Sequence, residues 1–326
     1  MPITLAEAKV GMADKVDQFV IDEFRRNSEL LDALTFDNAV SPGTGGSTMV
    51  YGYVQLKSPS TVTVRKINEE YTPGEAKRQE KTSKIVPFGG SFEIDRILQN
   101  TSGAVDEMAF QMKEKIKAAS NYFHNLVING TSAASGTGYV ANTFDGLKKL
   151  LASSDTEVTT TLDLSTSALL DDNYNAFLDE LDAFLNILDG KPDMLLMNEK
   201  MLTKVRSAAR RAGYYERTKN DFGNTVETYN GIKLVDAGKY YDGSKTIDVI
   251  PTDDVAGTTD IYAVKLGLDA FHGISPQGNK IINQYLPDMK QPGAVKKGEV
   301  EMLAGVVLKN TKKAGVLKGI KIKAIG

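Results

Sequence analysis

The sequence contains no cysteine, which excludes disulfides and thiolate metal sites together. Histidine is almost as scarce. His124 and His272 are the only two in 326 residues, and they lack the close helical spacing of a zinc site. An excess of basic charge is missing as well: 39 Lys and Arg stand against 42 Asp and Glu, a formal net charge of −3. A chain whose main task is gripping nucleic acid carries a clear basic surplus. No apolar run approaches the roughly 20 residues of a bilayer-spanning helix, so no membrane association is expected. Residues 1–15 include Glu7 and Asp14 and hold no apolar h-region, so no secretory signal is expected there. These absences predict a protein made and folded in the cytoplasm.

Catalytic signatures are also lacking. The glycine runs Gly43-Thr44-Gly45-Gly46 and Gly136-Thr137-Gly138 do not end in the Gly-Lys-Ser/Thr of a phosphate loop. There is no Gly-x-Ser-x-Gly elbow. Asp171-Asp172 and Asp253-Asp254 are adjacent pairs whose side chains point in different directions, so neither pair suits acid–base work. Asp171-Asp172 instead suits a helix N-terminus, where the dipole favours carboxylates. His124 and His272 read as structural. The expectation is a non-enzyme with no catalytic, cofactor-binding or metal-binding residues.

What is present is an ordinary folded composition, 41% hydrophobic and 25% charged, in a length that suits one large domain or two modest ones. Residues 5–34 read as an acidic helix with Val16, Phe19, Val20, Phe24, Leu30, Leu31 and Leu34 at helical spacing. Such a stripe cannot bury itself, so this segment is expected to be an arm lying along something else. After the breakers at 41–46 come three β-forming runs: Met49-Val50-Tyr51, Thr61-Val62-Thr63-Val64 and Lys84-Ile85-Val86-Pro87-Phe88. Between them residues 65–84 are strongly polar. A hairpin so poor in apolar residues is marginal alone and is expected to project and become ordered on a neighbouring subunit. Its charged residues Arg65, Lys66, Glu69, Glu70, Lys77, Arg78 and Glu80 are the candidate intersubunit contacts.

Residues 105–127 form the clearest helix, with Val105, Met108, Met112, Ile116, Ala119, Phe123 and Leu126 on one face, ending at Asn129-Gly130. A small-residue loop and a short helix at Phe144-Asp145-Gly146-Leu147 follow. The Ser/Thr-rich stretch 153–167 marks a domain boundary. Beyond it the pattern is α/β: an acidic-faced helix over 171–188, a buried strand Met194-Leu195-Leu196-Met197, and a basic helix N-capped by Asn198. Strands follow at 231–235, 247–250 and 261–264. The strand-rich tail carries Lys309, Lys312, Lys313, Lys318, Lys321 and Lys323, read as a solvated strand face or a contact with an acidic neighbour. Residues 57–84 are net basic, whereas the N-terminal arm and the 171–189 helix are acidic. Opposite signs on limbs unable to fold alone fit docking between subunits.

This order of elements resembles the Hong Kong 97-type major capsid proteins of tailed double-stranded DNA bacteriophages. Ser91-Phe92-Glu93-Ile94-Asp95-Arg96-Ile97-Leu98 looks like that family's return from its extended hairpin. Ile128-Asn129-Gly130 followed by Phe144-Asp145-Gly146-Leu147 is similar to its recurrent pattern after the long helix. The resemblance implies an α+β fold with an N-terminal arm at 1–46 and an extended hairpin, the E-loop, at 47–90. It implies a peripheral (P) domain at 91–160 with its spine helix at 105–127, and an axial (A) domain at 161–290. Residues 291–326 would return as C-terminal strands of the P domain. It further implies self-assembly through pentamers and hexamers into an icosahedral head, found in the virion and built in the host cytoplasm. Implied partners are a portal, a separate scaffolding protein, a decoration protein and non-specific contact with packaged DNA. No Lys–Asn crosslink is expected. Competing readings are an encapsulin shell of similar fold, a soluble α/β enzyme, and a tail or surface-layer protein; the rich hairpin and separate arm favour the phage capsid.

Overall fold

A computed structural model describes residues 29–39, 48–58, 60–101, 107–213, 216–219, 225–276, 282–288 and 290–324. Most of the expected N-terminal helix, the breakers at 41–46 and Val105 lie outside the described residues. In chain order the elements begin with α1 (Glu29–Ala33), β1 (Phe36–Asn38), β2 (Val50–Ser58), β3 (Lys77–Lys84) and β4 (Val86–Asp95). Then come α2 (Arg96–Thr101), α3 (Glu107–Asn129), α4 (Leu147–Leu150), β5 (Glu157–Thr159), α5 (Ser167–Asn186), β6 (Met194–Met197) and α6 (Glu199–Ala212). Five strands follow: β7 (Glu216–Lys219), β8 (Thr225–Tyr229), β9 (Ile232–Asp236), β10 (Lys239–Tyr241) and β11 (Thr246–Asp248). The chain closes with β12 (Thr258–Val264), β13 (Phe271–Ser275), β14 (Ile282–Tyr285), β15 (Val295–Leu308), a 3-10 turn at Thr311–Lys313 and β16 (Ala314–Lys321).

The larger sheet has seven strands in the order β5-β16-β12-β6-β9-β8-β7. Its centre shows why Met194-Leu195-Leu196-Met197 is apolar without interruption: the strand is buried on both faces. Met194 and Leu196 join the core that includes Phe123, Leu126 and Phe144, from α3 and the segment after it. Leu195 and Met197 point the other way, against Phe177, Leu181, Phe184, Met201 and Val205 of α5 and α6. The capping residues do what their types predict. Thr166 Oγ1 accepts from the Leu169 amide at the start of α5, and Asn198 Oδ1 accepts from Met201 at 2.8 Å at the start of α6. Gly213, at φ 75°, ends α6 in the left-handed conformation that glycine adopts without strain. Because α5 begins at Ser167, Asp171 lies one turn inside it, where it pairs with Arg211 of α6 rather than with the helix end.

The second sheet runs β1-β13-β15-β14, with β4 pairing the other edge of β15. β15 alternates exposed and buried through its first half, then is buried continuously as it enters the core. The two strands of the tail enter different sheets: β15 runs in this one, while β16 crosses to the seven-stranded sheet, antiparallel to β12 and parallel to β5. The lysines of that tail are mostly neutralised within the chain: Lys318 pairs with Glu157, Lys321 with Asp163 at 2.9 Å, Lys313 with Asp189 at 2.9 Å and Lys323 with Asp254 at 3.4 Å.

Where α3 crosses between the sheets, Phe123 stacks on Phe88 at 5.6 Å and meets Phe144 edge-on at 5.8 Å. Its neighbour His124 is 4% exposed, and its Nε2 has no hydrogen-bond partner among the described residues. Burial holds this imidazole's pKa down to about 4, against 6.5 when free. As pH falls below 6.5 the unfolded chain therefore takes up a proton that the folded chain refuses, until the folded form also accepts it near pH 4. We predict that urea stability of the unassembled subunit falls by about 3 kcal/mol over this window. His124→Phe should remove most of that loss; an unchanged pH profile in the variant would contradict the assignment.

Candidate intersubunit hairpin

β2 and β3 form an antiparallel pair running from Val50 opposite Lys84 to Leu56 opposite Arg78, with an irregularity before Ser58 and Lys77. At its root this pair is packed on its own chain. Tyr53 and Ile85 are buried with Ala39, Ile274 and Val307, and Ser83 Oγ donates to the Val306 carbonyl at 2.8 Å. Tyr51 Oη donates to Asp37 Oδ2 at 2.7 Å. That bond holds the Asp37 carboxyl below the usual carboxylate range, while burial and then Asp37 push the phenol upward. His272 lies edge-on to the Tyr51 ring at 6.1 Å, and Lys309 Nζ sits 5.6 Å from the same ring. His272 is fully buried, and burial lowers its pKa.

Beyond the root the packing stops. Every residue from 60 to 80 is exposed. Val62, Val64 and Ile67 are 94%, 100% and 89% exposed, values at which apolar side chains gain nothing from folding. Thr61-Val62-Thr63-Val64, expected as a strand, has no regular secondary structure and joins no ladder among the described residues. The reason is that the opposing limb around Gly74 touches Thr61 without strand pairing. A Cβ on Gly74 would stand 2.8 Å from the Thr61 carbonyl oxygen, so only glycine allows this approach. The crown is a tight turn in which the Glu69 amide donates to the Lys66 carbonyl at 3.2 Å, with Asn68 at φ 70°.

The seven candidate residues therefore separate into two groups. Arg65, Lys66, Glu69 and Glu70 surround the crown, whereas Lys77, Arg78 and Glu80 lie on β3, with Arg78 opposite Leu56 and Glu80 opposite Val54. None of the seven forms an ion pair among the described residues. The Tyr51–Asp37 anchor and the His272 packing were missed from sequence; nothing in the local pattern links positions 37, 51, 272 and 309.

An acidic surface was missed too. β15 pairs with β4 on one side and β14 on the other. The inner face of this patch packs Phe92, Ile94 and Val300 on Met112 of α3. Its outer face carries Glu93, Glu299 and Glu301, and the last two line an open groove of about 490 Å³ with Gly89, Ser91 and Tyr285. Lys297 pairs with Glu299 at 2.6 Å. Among the described residues no group of three or more His, Asp or Glu is placed to hold a metal ion, and no helix is long and apolar enough to cross a membrane.

The family profile of the SU10 major capsid protein matches residues 55–321. The chain belongs to the SU10 major capsid protein family. This capsid protein is thus a structural subunit that assembles with copies of itself into the icosahedral shell of a phage head. No curated protein matches its sequence. Among solved structures it is similar to the capsid of Myoviridae phage XM1, at 14% identity and TM-score 0.58, covering 98% of this chain and 99% of that one. It is similar to the Mycobacterium phage Bobi structure at 12% identity and TM-score 0.59, with 98% and 99% covered. It is also similar to the holo-SrpI encapsulin complex from Synechococcus elongatus PCC 7942, at 14% identity and TM-score 0.66, with 100% and 99% covered. The fold of the capsid protein is accordingly α+β and Hong Kong 97-type.

If the crown depends on the close approach at Gly74, then Gly74→Ala should splay its limbs. The expected result is a subunit of unchanged thermal midpoint, because nothing buried is disturbed, with a lower yield of closed shells. A lowered midpoint would show instead that the tip supports the subunit's own core.

Proposed function

We propose that residues 47–90 are the E-loop of this capsid protein and that the exposed tip docks on a different subunit. One observation carries this reading: Val62, Val64 and Ile67 are almost wholly bare on a hairpin whose root is firmly packed. Covering them on a neighbour removes apolar surface from water at roughly 25 cal/mol per Å², and the assembled lattice supplies the support that the single chain lacks. The charge pattern supports the same reading. Residues 57–84 carry Lys57, Arg65, Lys66, Lys77, Arg78, Lys81 and Lys84 against Glu69, Glu70, Glu75 and Glu80. The outer face bearing Glu93, Glu299 and Glu301 has the opposite sign, which suits it to fix the register of a basic partner.

The remaining assignments follow this reading. The arm is 1–46, the P domain is 91–160 with α3 as its spine helix, the A domain is 161–290, and 291–326 return as C-terminal strands of the P domain, of which β16 also pairs into the seven-stranded sheet. Subunits gather as pentamers and hexamers around double-stranded DNA in the host cytoplasm, with a portal, a separate scaffolding protein and a decoration protein as partners. DNA contact is non-specific, and the protein has no enzymatic role. The encapsulin reading has a fold likeness in its favour; enzyme cargo in place of DNA inside purified particles would support it.

The cysteine-free sequence makes the docking testable. In Val64→Cys/Ser91→Cys shells, oxidation should link subunits into ladders, while the isolated subunit stays uncrosslinked. Deleting residues 60–76 should leave a folded subunit that closes no shells. Normal shells from the deletion would overturn the docking. Failed shells without crosslinking would place the tip on another face of the neighbour.

A further inference from the structure

The crown of the hairpin is too far from the core to be held by packing, yet its turn is built from specific contacts, and they converge on one side chain. Arg65 Nη1 donates to the Lys66 carbonyl at 3.4 Å and to the Glu69 carbonyl at 3.2 Å. The same guanidinium lies 5.2 Å from the centroid of the Tyr71 ring. It therefore spans the turn from its first residue to its fourth and leans on the limb that leaves it. Planarity and several fixed donors let a guanidinium bridge two carbonyls while stacking on a ring. An ammonium is a point charge on a flexible stem and cannot do both at once. Lys66, by contrast, offers its backbone carbonyl to the turn, and its ammonium forms no hydrogen bond or ion pair with a described residue; the same holds for the Lys77 ammonium and the Arg78 guanidinium on the shaft.

We propose that Arg65 is a positioning residue, preforming the tip, and that the docking charge is carried by Lys66, Lys77 and Arg78. This rests on the reading that the tip docks on another subunit. Holding the crown in shape before docking removes part of the ordering cost of association, which runs to about 0.5–1.5 kcal/mol for each side chain immobilised. It also fixes where Lys66 and Ile67 project, so that charge and apolar surface arrive together. Of the seven charged candidates, Arg65 then acts through the others and not on the partner.

Comparing Arg65→Lys with Arg65→Gln separates shape from charge. If Arg65 positions, both variants should raise the subunit concentration needed for assembly by a similar factor, about two- to tenfold. The salt dependence of assembly should stay as in the wild type in Arg65→Lys and flatten in Lys66→Gln. In the free subunit, chymotryptic cleavage after Tyr71, the ring that Arg65 leans on, should speed up equally in both Arg65 variants, a readout independent of assembly. Normal assembly in Arg65→Lys alongside failure in Arg65→Gln would overturn the proposal and make Arg65 a docking cation. Unchanged cleavage in both variants would also overturn it. If the cleavage result holds but shells form without residues 60–76, the preformed crown stands and the docking reading falls.

Discussion

Strand β15 is paired along most of its length on both sides, and nearly everything that bears on assembly is positioned from it. Ten residues of β4 run antiparallel to Val295–Ala304, while β14 and then β13 occupy the other edge. A strand held from both sides has no freedom to shift register, because a one-residue slip would exchange its buried and solvated faces. Val300, Met302, Ala304 and Val306 are thereby kept in the core, and Glu299 and Glu301 are kept outside it. The far end of β15 supports the hairpin: Val307 packs under Tyr53, and the Val306 carbonyl receives Ser83.

The hairpin thus changes character along its length. Its root is coupled to the body by burial and by the Tyr51–Asp37 hydrogen bond, whereas its tip is held by the local turn at Arg65 and by the close approach of Gly74 to Thr61. Rigid attachment combined with an unsupported end suits a part that must reach a neighbour at a defined angle. A hairpin free at the root would lose the added entropy of its whole length on docking. A tip already packed on its own body would have nothing to exchange for a partner. On the proposed docking, the missing stabilisation of residues 60–76 is the driving force for a contact between copies.

Much of the frame was legible in the sequence because it rests on local chemistry. Thr166 was not anticipated as the cap of α5, but Asn198, Asn129-Gly130 and the doubly buried Met194–Met197 strand were, since capping and unbroken apolarity act within a few residues. The exposed hairpin was legible for a negative reason: residues 65–84 hold too few apolar side chains to build a core. What escaped notice depends on contacts distant in the chain. Asp37 meets Tyr51 and His272 only after β1 pairs with β13. The crossing of β16 into the larger sheet turns on pairing with β12, some fifty residues earlier. The acidic face needs β4 and β15 in register before Glu93, Glu299 and Glu301 share it. Arg65 was seen as charge, and its geometry over Tyr71 gives it a different task.

Hydrogen exchange read on the limbs 60–64 and 72–76 tests the central claim most directly, comparing the free subunit with the closed shell. The account predicts amides that exchange at nearly the rate of an unstructured chain in the subunit and become strongly protected in the shell. Limbs already protected in the free subunit, or equally unprotected in both states, would contradict it.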